Sequence, residues 1–244
     1  MPAPASVDCS ALPIGLAKDI RLTRNVAKGE IVRMPMLTLY SQQVSGNAYK
    51  PRLLMALLGI PFRIVEVNTY DGSTRQPAFL AKNPIGKVPL LDYEDGRRLA
   101  ESNAILLHLA EGTRYLPADE FDRAKAYEWL FFEQYVHEPA IAVRRSILTA
   151  PERAHLRTPE RLAELLEAGN RALGIMEQRL AQADWLAGSS YSIADIALYA
   201  YTHVAEEGGY DLKPYPGITA WIARVASQPG HVPIDWVPSE APYP

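Results

Sequence analysis

Apolar and polar positions follow two different patterns along this chain. From residue 36 to about 111, short apolar runs are separated by turn-forming residues, whereas beyond 120 apolar positions recur every three or four residues over long stretches. In the first region the run at 37–40 predicts a strand, the polar loop SQQVSGNA follows, and the run at 49–58 predicts a helix that Gly59 ends. Pro51 fits that helix only in its first turn. Alternation predicts a second strand at 62–67, then a polar loop over 68–76 and a short helix over 77–82. Two further strands flank Asp95-Gly96, a hairpin pair, and an apolar helical run occupies 104–109. The order β-α-β-α-β-β-α makes a small mixed sheet with helices on both faces.

The second region is predicted to be all helical, so the fold class expected is α/β plus all-α. A glycine, a proline and charges at 112–119 mark the boundary. Over 121–147, Ala124, Tyr127, Phe131 and Tyr135 place a broad aromatic stripe on one face. Leu162, Leu165, Leu166, Leu173, Met176 and Leu180 give the same period over 159–183. Ser192 and Asp195 read as a capping-box start, with Asp in place of Glu or Gln, before an apolar helix at 196–204. A last helix at 218–227 stops before Pro229-Gly230, and the tail 231–244, with four prolines, is expected to be loose. The division predicted is a sheet domain at 36–112, a linker at 113–120, a helical domain at 121–230 and the tail. Residues 1–35 are too short to build a core alone and are expected to be an extension outside the fold.

Composition narrows the function classes. Among 244 residues, 48% are apolar and 22% charged, with a net charge of −3, which gives no electrostatic footprint for nucleic acid or an anionic membrane. No apolar run approaches the ~20 residues needed to span a bilayer, and the N-terminus lacks the features of a secretory signal, so the cytoplasm is the expected location. Cys9 is the only cysteine, which excludes intrachain disulfides, CxxC redox pairs and zinc-thiolate sites. The histidines at 108, 137, 155, 203 and 231 are not at metal-ligand spacing, and no metal is expected. His108 and His203 fall in apolar helices and read as core residues. Neither a GxSxG elbow nor a GxGxxG fingerprint is present.

The stretch NPIGKVPLLDYEDGRRLAES, residues 83–102, carries the candidate chemistry. Pro89 cannot donate to a sheet ladder, so Val88-Pro89 suits a tight bend, cis in form, at the head of an edge strand. That bend leaves the Val88 backbone outward, where an extended peptide can add itself as a strand. Ser102, as N-cap or first residue of a helix, can attract a carboxylate to the free N–H groups and positive dipole end, while Glu101 can take an ammonium. A ligand zwitterionic at one end and peptide-like in the middle fits, and glutathione is such a ligand. The plain structural alternative is that Glu101 and Ser102 cap a helix and that Lys87 is a solvated charge.

The order of VP, hairpin, ES and helix, preceded by a strand, the SGNAYK loop and an apolar helix, resembles the N-terminal thioredoxin-like domain of cytosolic-type glutathione S-transferases. The resemblance covers 36 to about 236 and points to bacterial members with a serine or asparagine site, similar to the theta, zeta and nu-like classes. It implies glutathione as substrate, bound by Lys87, Val88 and Pro89 along its cysteinyl and glycyl parts and by Glu101 and Ser102 at its γ-glutamyl end. Aligned on the first helix and on GIPF, Ser45 falls where serine-type members keep their activating serine, and Asn47 where beta-class members keep a cysteine. Ser45 is therefore the first candidate for stabilising the thiolate and Asn47 the second, with helix capping as the alternative for both. Tyr40 is a third, weaker candidate better read as core. Thr74, Arg75 or Gln76 can reach the glycyl end.

An electrophile is expected to dock between domains, with Tyr127, Phe131, Tyr135 and Arg144 as possible pocket residues. The alternatives are bundle core for the aromatics and a surface position for Arg144. The resemblance also implies a homodimer and a transferase that conjugates glutathione to a small electrophile. Two other functions stay open. One is a glutathione-dependent peroxidase or disulfide reductase, in which glutathione carries the redox sulfur, and the other is a non-catalytic glutathione- or ligand-binding module. Residues 1–35 resemble the end of a SAF-type domain, with Met34 or Met36 the expected start of the working protein.

Overall fold

A computed structural model describes residues 36–238. The expectation for residues 1–35 lies outside the described residues. The chain forms two compact units, one ending at Arg114 and taking in the segment from Asp235, the other spanning Tyr115–Ile234.

The first unit is a four-stranded sheet in the order β2-β1-β3-β4. Strand β1 (Leu37–Ser41) is followed by helix α1 (Gly46–Leu57), β2 (Phe62–Glu66), a 3-10 turn (Ser73–Arg75) and the short helix α2 (Pro77–Leu80). Next come β3 (Leu90–Asp92), β4 (Arg98–Ala100) and α3 (Ser102–Ala110). β1 runs parallel to β2, with Leu39 opposite Ile64, and antiparallel to β3, with Leu39 opposite Leu91. β3 pairs antiparallel with β4 through the turn at Gly96, whose φ of 86° suits glycine. The mixed βαβαββα sheet is the one predicted. Its core joins Leu37, Leu39 and Leu91 to Leu53, Leu54 and Met55 of α1 and Ile105, Leu106 and Leu109 of α3, all at most 1% exposed.

Three differences from the expected first unit have local causes. Helix α1 starts at Gly46 rather than Tyr49, because the Ser45 side chain caps it and accepts from the Ala48 N–H at 3.3 Å. Pro51 consequently lies inside the helix, not in its first turn, and withholds the N–H that would otherwise reach the Asn47 carbonyl. Residues 235–238 of the tail, expected to be loose, instead return to this unit. The Trp236 ring meets Phe62 at 6.1 Å between centroids, and its carbonyl accepts from Gln43 Nε2 at 3.2 Å.

The second unit is helical: α4 (Glu120–Phe132), a π-turn (Glu133–His137), α5 (Glu138–Thr149), a 3-10 turn (Pro151–Leu156), α6 (Pro159–Leu180), α7 (Ile193–Thr202), a 3-10 turn (Ala205–Gly208) and α8 (Pro216–Ala226). α7 is buried from end to end. Its start is the predicted capping box, and Asp195 does more than cap. Its carboxylate accepts from Ser192 N and Oγ, Leu186 N and Trp221 Nε1 at 2.9–3.1 Å, so one buried acid ties α7 to the preceding loop and to α8. Burial pushes this carboxyl up to about 6, although every donated bond favours its ionised form.

The aromatic stripe running from α4 into the π-turn after it does not form bundle core. Phe131 is 74% and Tyr135 88% exposed, while Tyr127 is half-buried. The inner face is carried by Ala126, Trp129 and Leu130 instead. No helix among the described residues is long and apolar enough to cross a membrane.

His203 stacks on Tyr199 at 4.4 Å and shares a 2.6 Å hydrogen bond between Nδ1 and the Tyr199 carbonyl. Burial, first, lowers its ring from 6.5 to about 4. Between those values the unfolded chain takes up a proton that the folded one refuses, so His203 makes stability fall as pH drops from 6.5 towards 4. Asp195 acts oppositely, its contribution being present at low pH and lost as pH rises through about 6. Comparison with His203→Gln isolates the histidine. On acidification through this window, wild type should lose up to about 3 kcal/mol relative to the variant in denaturant unfolding. Parallel pH profiles would contradict it.

Candidate active site

The loop from β1 to α1 is fastened at successive residues. Thr69 Oγ1 donates to Gln42 Oε1 at 2.6 Å, and Ser45 N–H donates to the Gln42 carbonyl at 3.0 Å. Gln43 is held from several sides. Its N–H donates to Glu66 Oε1 at 2.7 Å, its side-chain and backbone oxygens accept from Arg52 at 2.5 and 2.8 Å, and its amide nitrogen donates to Trp236. Burial lowers the Arg52 guanidinium to about 10, against the opposing field of Glu66, which leaves it charged at neutral pH. Ser45 therefore sits on a loop pinned by a buried cation, β2 and the returning tail.

Ser45 and Asn47 occupy the start of α1 and are both half-buried. Ser45 Oγ accepts from Ala48 N–H, and among the described residues nothing accepts a hydrogen bond from its hydroxyl. Capping thus uses a lone pair and leaves the O–H as a donor. Asn47 Oδ1 accepts from Lys50 Nζ at 2.8 Å and from Ser102 Oγ at 3.2 Å. Ser102 is the first residue of α3 and is 3% exposed. The starts of α1 and α3, each with its positive dipole end, are thereby joined side chain to side chain.

Glu101, just before α3, is exposed and has φ 68° and ψ 115°. It is the non-glycine residue with positive φ among the described residues, a conformation that costs of order 1–3 kcal/mol and is held by the surrounding structure. That backbone turns the chain from β4 into α3.

The Val88-Pro89 bond is cis. Asn83, 2% exposed, fixes the approach to it by donating from Nδ2 to the Lys87 carbonyl at 2.8 Å and accepting from Ile85 N–H at 3.2 Å. Gly86, with φ 64°, packs so closely on Arg75 that a Cβ would lie 2.7 Å from Nη1. Pro89 is buried, Val88 half-buried and Lys87 exposed. The strand that Pro89 leads into, β3, is paired on both sides, by β1 and β4, and is not the edge strand expected. The opening lies just before it: no described residue hydrogen-bonds the Val88 backbone, which leaves one N–H and one carbonyl for an added strand.

Of the other predicted residues, Tyr40 packs edge-on against Phe79 at 5.9 Å and carries Lys82 over its ring at 5.4 Å. Thr74 is buried, and Arg75 donates to the Ile85 carbonyl at 3.0 Å. Tyr127, Phe131, Tyr135 and Arg144 belong to the helical unit. Arg144 is bound there, donating to the Gly208 carbonyl and, at 3.1 Å, to the Leu162 carbonyl, with Tyr210 below its guanidinium. One groove of that unit is lined by Phe121, Trp129, Phe132, Ile175 and Leu186, and another includes Tyr135. Among the described residues no group of His, Cys, Asp and Glu could hold a metal ion.

Residues 35–111 match the glutathione S-transferase N-terminal domain and residues 133–229 the glutathione S-transferase C-terminal domain. The chain belongs to the glutathione S-transferase family. A crystal structure of glutathione S-transferase from Pseudomonas fluorescens is similar at 50% identity and a TM-score of 0.79, over 82% of this chain and 98% of that one. The disulfide-bond oxidoreductase YfcG of Escherichia coli is 30% identical over 198 residues, covering 75% of this chain and 87% of its own. Ure2p in complex with glutathione is 25% identical with a TM-score of 0.71, over 80% of this chain and 96% of that one.

Sequence reasoning missed Lys50 and Arg52, two charges of this transferase's first helix that are both fully buried. The available signal was their place in YKPRLLMALL, where every neighbour is apolar or aromatic and a lysine or arginine has no polar face to occupy.

Proposed function

We propose that this protein is a glutathione S-transferase that binds glutathione on its first unit, stabilises the thiolate and conjugates it to a small electrophile. The observation that carries this is the hydrogen bond from Ser102 to Asn47, which links the acid-serine start of α3 to the start of α1 that bears Ser45. The γ-glutamyl carboxylate meets Ser102 and the α3 N–H groups, and Glu101 takes the ammonium. The cysteinyl backbone pairs with Val88 behind Pro89, and Lys87 attends the glycyl end. The sulfur then lies at the start of α1.

A free thiol has pKa ~8.5, and lowering it by two units corresponds to about 2.7 kcal/mol. Ser45 O–H, the Asn47 amide and the helix dipole are the groups that supply it. Glutathione is the substrate, with no metal involved. Ser45→Ala and Asn47→Ala, assayed with glutathione and a chlorinated dinitrobenzene, decide between the two donors. The loss expected at neutral pH for the principal donor is ~100-fold in kcat/KM, shrinking as pH rises towards the free thiol value. Unchanged rates in both variants remove the pair from the mechanism. Glutathione binding without turnover in wild type makes the protein a non-catalytic binding module.

The similarity to a disulfide-bond oxidoreductase favours a second reading, glutathione-dependent reduction of disulfides or peroxides. Cys9 is the sole cysteine, so the redox sulfur would be that of glutathione. Reduction of bis-hydroxyethyl disulfide faster than conjugation selects this reading.

The protein works as a homodimer in our reading, with the outward stripe of α4 and the π-turn as part of the contact. Phe131 and Tyr135, 74% and 88% exposed, present more apolar surface than an isolated helical unit needs. Sedimentation velocity should give a dimer for wild type and a monomer for Phe131→Glu. A monomeric wild type would rule the assembly out.

A further inference from the structure

Lys50 has no part in the function as described so far. Its side chain is fully buried, and three side-chain oxygens face Nζ: Asn47 Oδ1 at 2.8 Å, Ser102 Oγ at 3.2 Å and Asn103 Oδ1 at 3.3 Å. An ammonium only donates, so the Asn47 atom it meets is the amide oxygen. Ser102 Oγ donates to that same oxygen at 3.2 Å. Two donors on one atom fix which way the amide points, and the NH2 group takes the opposite edge. A cation on the oxygen of an amide also draws electron density from its nitrogen, which strengthens the N–H as a donor. Burying an ammonium contributes little to stability, so its position beside two site residues calls for another account.

We propose that Lys50 is a positioning residue that clamps the Asn47 amide with its NH2 group directed to the glutathione sulfur and couples that clamp to the γ-glutamyl anchor at Ser102. The proposal rests on the transferase reading above. When a ligand carboxylate takes the Ser102 hydroxyl hydrogen, the bond from Ser102 to Asn47 is lost. The ammonium then holds the amide, so Lys50 matters most once the tripeptide is bound.

Lys50→Met removes the charge at similar volume and Lys50→Arg keeps it. The pKa of enzyme-bound glutathione is read from the ultraviolet absorbance of the thiolate against pH. Calorimetry with S-methylglutathione, which has no ionisable thiol, measures binding separately. In Lys50→Met the bound thiol pKa should rise by about one pH unit, while affinity for the S-methyl ligand falls by less than about threefold. Lys50→Arg should recover part of the shift, and Lys50→Met should add nothing in an Asn47→Ala background. A bound thiol that titrates in Lys50→Met as in wild type, or shifts that add in the double variant, overturns the role of Lys50 alone. Wild type that leaves the bound thiol at its free value overturns the transferase reading and this proposal with it. Should Lys50→Met fail to fold, Lys50→Gln carries the same readouts.

Discussion

The hydrogen bond from Ser102 Oγ to Asn47 Oδ1, at 3.2 Å, joins two helix starts that lie 55 residues apart in the chain. Each helix start has a positive dipole end, and each is by itself an ordinary feature. Together with the open peptide group of Val88, just before the inner strand β3, they form a corner suited to a molecule with a carboxylate at one end and a thiol a few bonds away. The buried Lys50 beneath both side chains makes that corner more positive still.

The corner holds its shape because its approaches are fixed independently. Arg52 and Glu66 bind Gln43 on one side of the first loop, and the tail closes over it through Trp236. Asn83 and Gly86 set the bend before Val88, and the positive φ of Glu101 turns the chain into α3. Such fixing reduces the reorganisation that ligand binding would otherwise require. Loops carry most of the candidate groups, but the loops are anchored to α1, β2 and β3.

Much of this was legible in the sequence. Alternation and turn residues revealed the βαβαββα order, a β-branched residue before proline marked the cis bend, and Ser192 with Asp195 marked the start of α7. What stayed hidden depended on partners distant in sequence or on the direction of a periodic face. Lys50 and Arg52 carry no motif of their own, and their roles show only once Ser102, Asn103 and Gln43 are known to be their neighbours. Helix α1 begins early because a cap at Ser45 outweighs the weak helix propensity of Gly46 and Asn47. The tail was read as loose from its prolines, yet the Trp236 ring finds Phe62 across nearly the whole chain. Period alone showed that Tyr127, Phe131 and Tyr135 share a face but not whether that face points in or out.

A crystal structure with bound glutathione tests the account most directly. It should show the γ-glutamyl carboxylate on Ser102, the cysteinyl backbone paired with Val88 and the sulfur within about 3.5 Å of Ser45 Oγ or Asn47 Nδ2. A tripeptide bound away from the starts of α1 and α3, or with its sulfur turned from both, would contradict it.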